Sequence, residues 1–90
     1  MPRLLTTKSY ERRLLKFRKK HPELREGYAK TLRLLEVNPH HPALRIHKLH
    51  GKLNAYYSVS INMKYRIIID FVVEEDVVIL VSIVSFNTNP

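Results

Sequence analysis

The segment His47–Phe71, "HKLHGKLNAYYSVSINMKYRIIIDF", changes character after Gly51, and that change decides the fold. Tyr57, Val59 and Ile61 fall on one side of the chain, and Tyr56, Ser58, Ser60 and Asn62 on the other. A period of two belongs to a strand with one face in a core and one polar face left open. "KYRIIIDFVV" and "VVILVSIVSF" follow as β-branched runs of strand length, joined by the acidic turn "EED" at Glu74–Asp76. They read as a hairpin in the middle of a sheet.

Upstream the period is helical. From Lys8, the apolar positions Tyr10, Leu14 and Phe17 recur at i, i+4 and i+7, with Leu15 widening the stripe. Thr7 is placed to cap the start through its hydroxyl. His21–Pro22 ends this helix, because proline bars the preceding residue from helical geometry. Pro22 then suits the first position of a second helix, with Glu23 and Glu26 near its positive end. Leu24, Tyr28, Leu32 and Leu35 form the second apolar stripe, which "NPHHP" at Asn38–Pro42 stops. "RLLT" at Arg3–Thr6 reads as a short first strand. The predicted order is β-α-α-β-β-β, an α+β fold with two N-terminal helices packed on a small antiparallel sheet.

At 90 residues the expectation is one domain spanning 1–90, with no repeat or linker. A chain this short buries about 60% of its unfolded surface, enough for a modest core. There is no cysteine, so neither disulfides nor a thiolate zinc site is available, which fits a reducing cytoplasm. The N-terminus lacks the apolar segment of a signal peptide. The apolar stretch from Ile67 to Val84 is interrupted by Asp70 and by the acidic turn, so it does not read as a membrane-spanning helix.

The net charge of +8 is concentrated at one end. Arg3, Lys8, Arg12, Arg13, Lys16, Arg18, Lys19 and Lys20 stand against Glu11 alone in the first helix and its approach, whereas the segment after Gly51 is nearly neutral. Such a field attracts polyanions or an acidic protein. The plainer reading is a solvated helix face.

On the strand carrying "KYRIIID", Arg66, Ile68, Asp70 and Val72 share one face, and Tyr65, Ile67, Ile69 and Phe71 the other. If the apolar set packs on the helices, Arg66 projects from the open face and joins Ser58 and Ser60 in a matching register. An arginine fixed on a strand is a good phosphate clamp, because its planar fork donates two parallel hydrogen bonds. The alternative is a surface pair with Asp70. His47 and His50 lie three apart in a loop before a glycine, with no cysteine or nearby carboxylate, so they do not read as a metal site. A loop histidine can serve as a proton donor. Tyr56 is on the face from which it can stack on a base, while Tyr57 belongs to the core. No Ser–His–Asp arrangement, glycine-rich phosphate loop or carboxylate pair is visible.

With these residues in view, the chain resembles the RelE/ParE superfamily of toxins from toxin–antitoxin modules. The resemblance is carried by "HKLHGKL" (His47–Leu53), "YYSVSIN" (Tyr56–Asn62), "KYRIII" (Lys64–Ile69) and the acidic hairpin followed by "VVILVSI". It implies a RelE-like fold and a small cytoplasmic toxin, from a plasmid-stabilisation type of module, neutralised by a cognate antitoxin protein. Neither a cofactor nor a membrane is implied. RelE-like members cut messenger RNA in the ribosomal A site, and ParE-like members poison DNA gyrase.

By resemblance, Arg66 stands at the family's phosphate-contacting arginine and His47 at an early histidine, with Lys48 beside it. These three are the expected catalytic residues. Lys8, Arg12, Lys16, Lys19, Lys52, Tyr56 and Lys64 are the expected nucleic-acid-binding set. Where relatives carry lysines or an arginine, this chain has Ser58 and Ser60. Later partners of the histidine-using branch fall on Ser60, Lys64 and Phe86. At the C-terminus, Val84, Phe86, Asn87 and Pro90 replace the usual histidine or arginine and tyrosine. The implied messenger-RNA endonuclease therefore has a depleted catalytic set. A gyrase inhibitor, or a homologue that binds antitoxin without toxicity, are the alternatives.

Overall fold

The computed structural model describes residues 2–85. Strand β1 is Arg3–Thr6, helix α1 is Lys8–Lys20 and helix α2 is Arg25–Val37. Strands β2 (His47–Lys48), β3 (Tyr57–Ser60), β4 (Tyr65–Val72) and β5 (Val77–Ser85) follow. The strands form one five-stranded sheet in the order β1-β5-β4-β3-β2, with both helices on one face. The α+β fold with two helices on a small sheet is as expected. Among the described residues, no helix is long and apolar enough to cross a membrane.

The sheet is mixed rather than wholly antiparallel. β1 runs parallel to β5, pairing Arg3 with Val77 through Thr6 with Leu80. The cause is the two-residue strand β2, which the sequence pattern does not reveal. It adds one reversal of direction between α2 and β3, so β5 ends up running with β1 instead of against it. β2 pairs antiparallel with β3, His47 facing Ser58 and Lys48 facing Tyr57. The remaining pairings, β3 with β4 and β4 with β5, are antiparallel as expected.

Helix α1 starts where Thr7 Oγ1 accepts the Tyr10 N–H at 3.0 Å, and ends at His21, whose N–H donates to the Phe17 carbonyl. Its inward residues are Tyr10, Leu14 and Phe17. Leu15, expected to widen that stripe, is 60% exposed, because it lies on the far side of the helix from Tyr10 and Phe17. Pro22 opens a short 3₁₀ turn, Pro22–Leu24, before α2 begins at Arg25. Tyr28 and Leu35 point into the core, together with Thr31, a polar residue within the stripe. Its hydroxyl is satisfied by the Gly27 and Ser60 carbonyls, at 2.9 and 3.3 Å, and the second bond ties α2 to β3.

The sheet contributes Val59, Ile67, Ile69, Val78 and Leu80 to the same core, and the Pro42–Leu44 turn adds Leu44. A β-bulge in β5 keeps the apolar face inward. Ile69 pairs with Leu80 but Ile68 pairs with Ser82, which leaves Val81 as the extra residue. Core positions therefore shift from Val78 and Leu80 to Ile83 along β5. Without that extra residue, alternation would turn one half of the strand's apolar side chains to the open face.

At the centre of the helix layer, the Tyr10 and Tyr28 hydroxyls meet at 2.7 Å. Burial, above all, holds the ionisation of Tyr10 well above its ordinary range and raises that of Tyr28. Tyr10→Phe leaves the Tyr28 hydroxyl without its partner and should lower stability by about 1–2 kcal/mol, against about 3–5 kcal/mol for Tyr10→Ala. Unfolded tyrosine ionises near pH 10 and the folded pair only at higher pH. The pair's stabilisation is therefore complete below about pH 10 and is lost as pH rises further. Urea unfolding at pH 8 and pH 10.5 checks both points: the loss at pH 10.5 should shrink in the Tyr10→Phe, Tyr28→Phe double variant.

Candidate functional site

Arg66 leaves β4 on the face away from the helices, since its neighbours Ile67 and Ile69 point into the core. It is paired with Ser60 across β3, and Ser58 is its diagonal neighbour on the same face. The guanidinium lies along the sheet towards Ser58. Nε donates to Ser58 Oγ at 2.8 Å, and Nη2 donates to the Ser58 carbonyl at 3.2 Å and to the Arg45 carbonyl. Arg45 can present that carbonyl because its backbone is left-handed, φ 47°, at the end of the Pro42–Leu44 turn. Asp70, the alternative partner read from the sequence, stands beyond the bulge opposite Ile79. The bonds described for Arg66 run to Ser58 and Arg45 instead.

Partial burial first, and the Arg45 charge second, lower the pKa of Arg66 from the usual guanidinium value. Arginine's intrinsic basicity still leaves it protonated at neutral pH. Ser58 is buried beneath the guanidinium. Ser60 was expected beside it, but its hydroxyl turns away and donates to the Asn62 carbonyl at 2.7 Å, inside the β3–β4 turn. The same turn is held by Asn62 Oδ1, which accepts the N–H groups of Lys64 and Tyr65.

Arg66 forms one wall of a groove of about 410 Å³ whose other walls include His47, Lys48, His50, Ser58 and Met63. Pairing with Ser58 puts His47 on the outer face, and β2, as the edge strand, leaves His47 and Lys48 exposed. The ladder continues one step through the Leu49 N–H to the Tyr56 carbonyl, 3.0 Å, before Gly51 turns the chain with φ 72°. The three residues expected to be catalytic, Arg66, His47 and Lys48, therefore share one groove. His50, read from the sequence as a loop histidine and not as a metal ligand, joins them. Nothing in "INMK" shows that Met63, in the β3–β4 turn, borders this groove. Among the described residues no group of three or more His, Asp or Glu side chains gathers to hold a metal.

The expected nucleic-acid-binding set does not converge on this groove. Lys8, Arg12 and Lys19 are exposed along the outer side of α1, opposite Tyr10 and Phe17, and Lys16 is exposed on the flank of the helix. The helices cover the other face of the sheet, so this basic line and the Arg66 groove lie on opposite sides of the molecule. Lys52 sits in the exposed turn after β2, and Tyr56 is half-buried just before β3. Lys64 lies in the turn before β4 with its Nζ 5.7 Å from the centre of the Tyr65 ring. Phe86, Asn87 and Pro90, expected to mark a depleted C-terminus, lie outside the described residues. Chemically, the groove offers a guanidinium and an ammonium for a phosphate, and two imidazoles for proton transfer.

Residues 8–83 match the family described as the RelE-like toxin of the type II toxin–antitoxin system HigB. No curated protein matches the sequence. Among solved structures, YafQ from E. coli strain BL21(DE3) superposes with a TM-score of 0.77 at 11% identity, covering 94% of this chain and 93% of that one. The YoeB/ParE toxin from Agrobacterium tumefaciens gives 0.74 at 15% identity, over 94% and 99% of the two chains. A chain of the heterotetrameric YoeB–YefM toxin–antitoxin complex from Staphylococcus aureus gives 0.70 at 16% identity, over 97% and 98%. At these identities the likeness is one of fold, whereas the family match runs through both helices and most of the sheet. The chain thus belongs to the HigB-like toxins, RelE-like members of type II toxin–antitoxin systems.

Proposed function

We propose that this protein is the toxin of a toxin–antitoxin pair, held inactive by a cognate antitoxin protein, and that its released form cleaves messenger RNA on the ribosome at the Arg66 groove. The observation that supports this most is the gathering of Arg66, His47, Lys48 and His50 around one open groove. RNA can be cut without a metal or cofactor when a ribose 2′-hydroxyl attacks the adjacent phosphorus. A base removes the hydroxyl proton, an acid protonates the departing 5′ oxygen, and cations offset the charge growing on the phosphoryl oxygens. His47 and His50 are suited to the two proton transfers, and Arg66 with Lys48 to the charge.

The catalytic set is thin compared with the chemistry asked of it. Ser58 is committed to anchoring Arg66, and Ser60 to the β3–β4 turn. Neither adds a cation, so a slow nuclease is the expectation. The basic line on α1 faces away from the groove and suits a second contact, with ribosomal RNA, while mRNA occupies the groove. This favours a ribosome-sized target that can surround the protein over a short free RNA. It acts in the cytoplasm, where ribosomes are.

Purified protein should cleave mRNA on translating ribosomes, with Arg66→Ala slowing the step about 10²-fold. His47→Ala and His50→Ala should each slow it by at least tenfold. Gyrase supercoiling should be unaffected at micromolar protein. Unchanged cleavage in the Arg66 variant, or inhibition of gyrase without any RNA cleavage, would contradict the reading. Ser58→Ala should leave the fold intact and reduce cleavage several-fold, less than Arg66→Ala does, because it loosens the guanidinium without removing it.

A further inference from the structure

On the helix side of the sheet, a chain of polar groups goes unused by the proposed reaction. Glu23 Oε2 lies 3.2 Å from His21 Nδ1, and His21 Nε2 lies 2.8 Å from the Tyr65 hydroxyl. The His21 ring is held between Phe17 and Tyr65, with ring centres 5.3 and 4.7 Å away, and its side chain is 18% exposed. Phe17 meets Tyr65 edge-on at 5.4 Å, so the phenol is fixed as well. The fixed His21–Tyr65 pair borders a hollow of about 310 Å³ whose other walls carry Arg13, Lys16 and Lys20. Ser85, at the end of β5, adds a hydroxyl, and among the described residues no carboxylate lines the hollow.

Three cations on one flank of a helix are ordinarily a solvated face. Here they stand over a concave floor with a phenol whose orientation is set from behind. The carbonyl end of α1 lies nearby and repels anions. The His21 N–H already takes the Phe17 carbonyl at 2.8 Å, and the three cations offset the remainder.

We propose that this hollow binds a phosphate group, with Arg13, Lys16 and Lys20 supplying charge and the Tyr65 hydroxyl supplying a hydrogen bond gated by His21. With Nδ1–H donated to Glu23, neutral His21 accepts the Tyr65 proton at Nε2, and the phenol has no proton to offer an anion. When His21 takes up a proton, Nε2–H donates to the phenol oxygen, and the phenolic hydrogen turns to the phosphate. No covalent bond forms or breaks. The charged groups facing the ring are Glu23, the three cations of this hollow and, across the neighbouring groove, Arg18 and Arg25. A phosphate among the three cations offsets their charge, so its binding and proton uptake by His21 favour each other. The site stands apart from Arg66 and does not depend on RNA cleavage. Its phosphate is either a diester of a polynucleotide or a free anion.

Nuclear magnetic resonance on the full chain tests this through the His21 and Tyr65 ring signals, with inorganic phosphate and with tetrauridylate lacking terminal phosphates as probes. The diesters keep their charge between pH 5.5 and pH 8, so tetrauridylate carries the pH comparison. Read at His21, its binding should be at least threefold tighter at pH 5.5. Tyr65→Phe, which keeps the ring packing, should reduce that difference to the smaller part that charge alone provides. The Arg13→Ala, Lys20→Ala double variant should weaken binding at least fivefold at both pH values. Saturation by tetrauridylate alone would identify a polynucleotide ligand, and saturation by inorganic phosphate a free anion. The proposal is overturned if the probes move only His47 and His50, or if Tyr65→Phe keeps the full pH difference. Either result leaves the cleavage reading standing.

Discussion

The guanidinium of Arg66 lies flat on the uncovered face of the sheet, gripped by the Ser58 hydroxyl and by two backbone carbonyls. That grip is the constraint on which the site depends. A long cationic side chain on an open sheet normally samples many rotamers, and ordering it costs about 2 kcal/mol. Here the fold absorbs that ordering before any ligand arrives, through a left-handed turn at Arg45 and a small hydroxyl at Ser58. Larger residues at position 58 would fill the space the guanidinium occupies. The serine that looks like a loss of catalytic charge is therefore the support of the charge that remains.

The same sheet gives the protein two chemically different sides. Its inner face is closed by the helices around Tyr10, Tyr28 and the isoleucines of β4. Its outer face carries the groove, rimmed by the edge strand β2 and the turn at Met63. Lys8, Arg12 and Lys19 of α1 lie beyond the helix layer, and most of the positive field is on the side opposite the groove. A polyanion small enough to touch one side would not feel both. A partner that surrounds the protein would be drawn by the α1 field and still present a phosphate to Arg66.

Much of this fold is legible in the residues, because its signals are local. The Thr7 cap, the Pro22 break, the alternation through Tyr57, Val59 and Ile61, and the acidic turn at Glu74–Asp76 each act over a few positions. The parallel pairing of β1 was not legible, since it follows from β2, and two residues are too few to show a period. Leu15 misled because hydrophobicity carries no angle by itself; its position around the helix puts it among the lysines. Position and face of Arg66 could be read from alternation. Its partners could not, because the Arg45 carbonyl is brought there by a turn twenty-one residues upstream. His50 was visible as a residue but not as a neighbour of Arg66, which only the β2–β3 pairing makes it. The His21–Tyr65 contact spans forty-four positions and leaves no trace in spacing.

The central claim is that a cation anchored through its own fork on the outer face meets the phosphate that is cut. Arg66→Lys keeps the charge and removes the fork by which Ser58 and Arg45 hold it, and single-turnover cleavage of mRNA on programmed ribosomes measures the difference. A fall of at least tenfold, at an unchanged melting temperature, is the result the account predicts. Cleavage at the wild-type rate would contradict it.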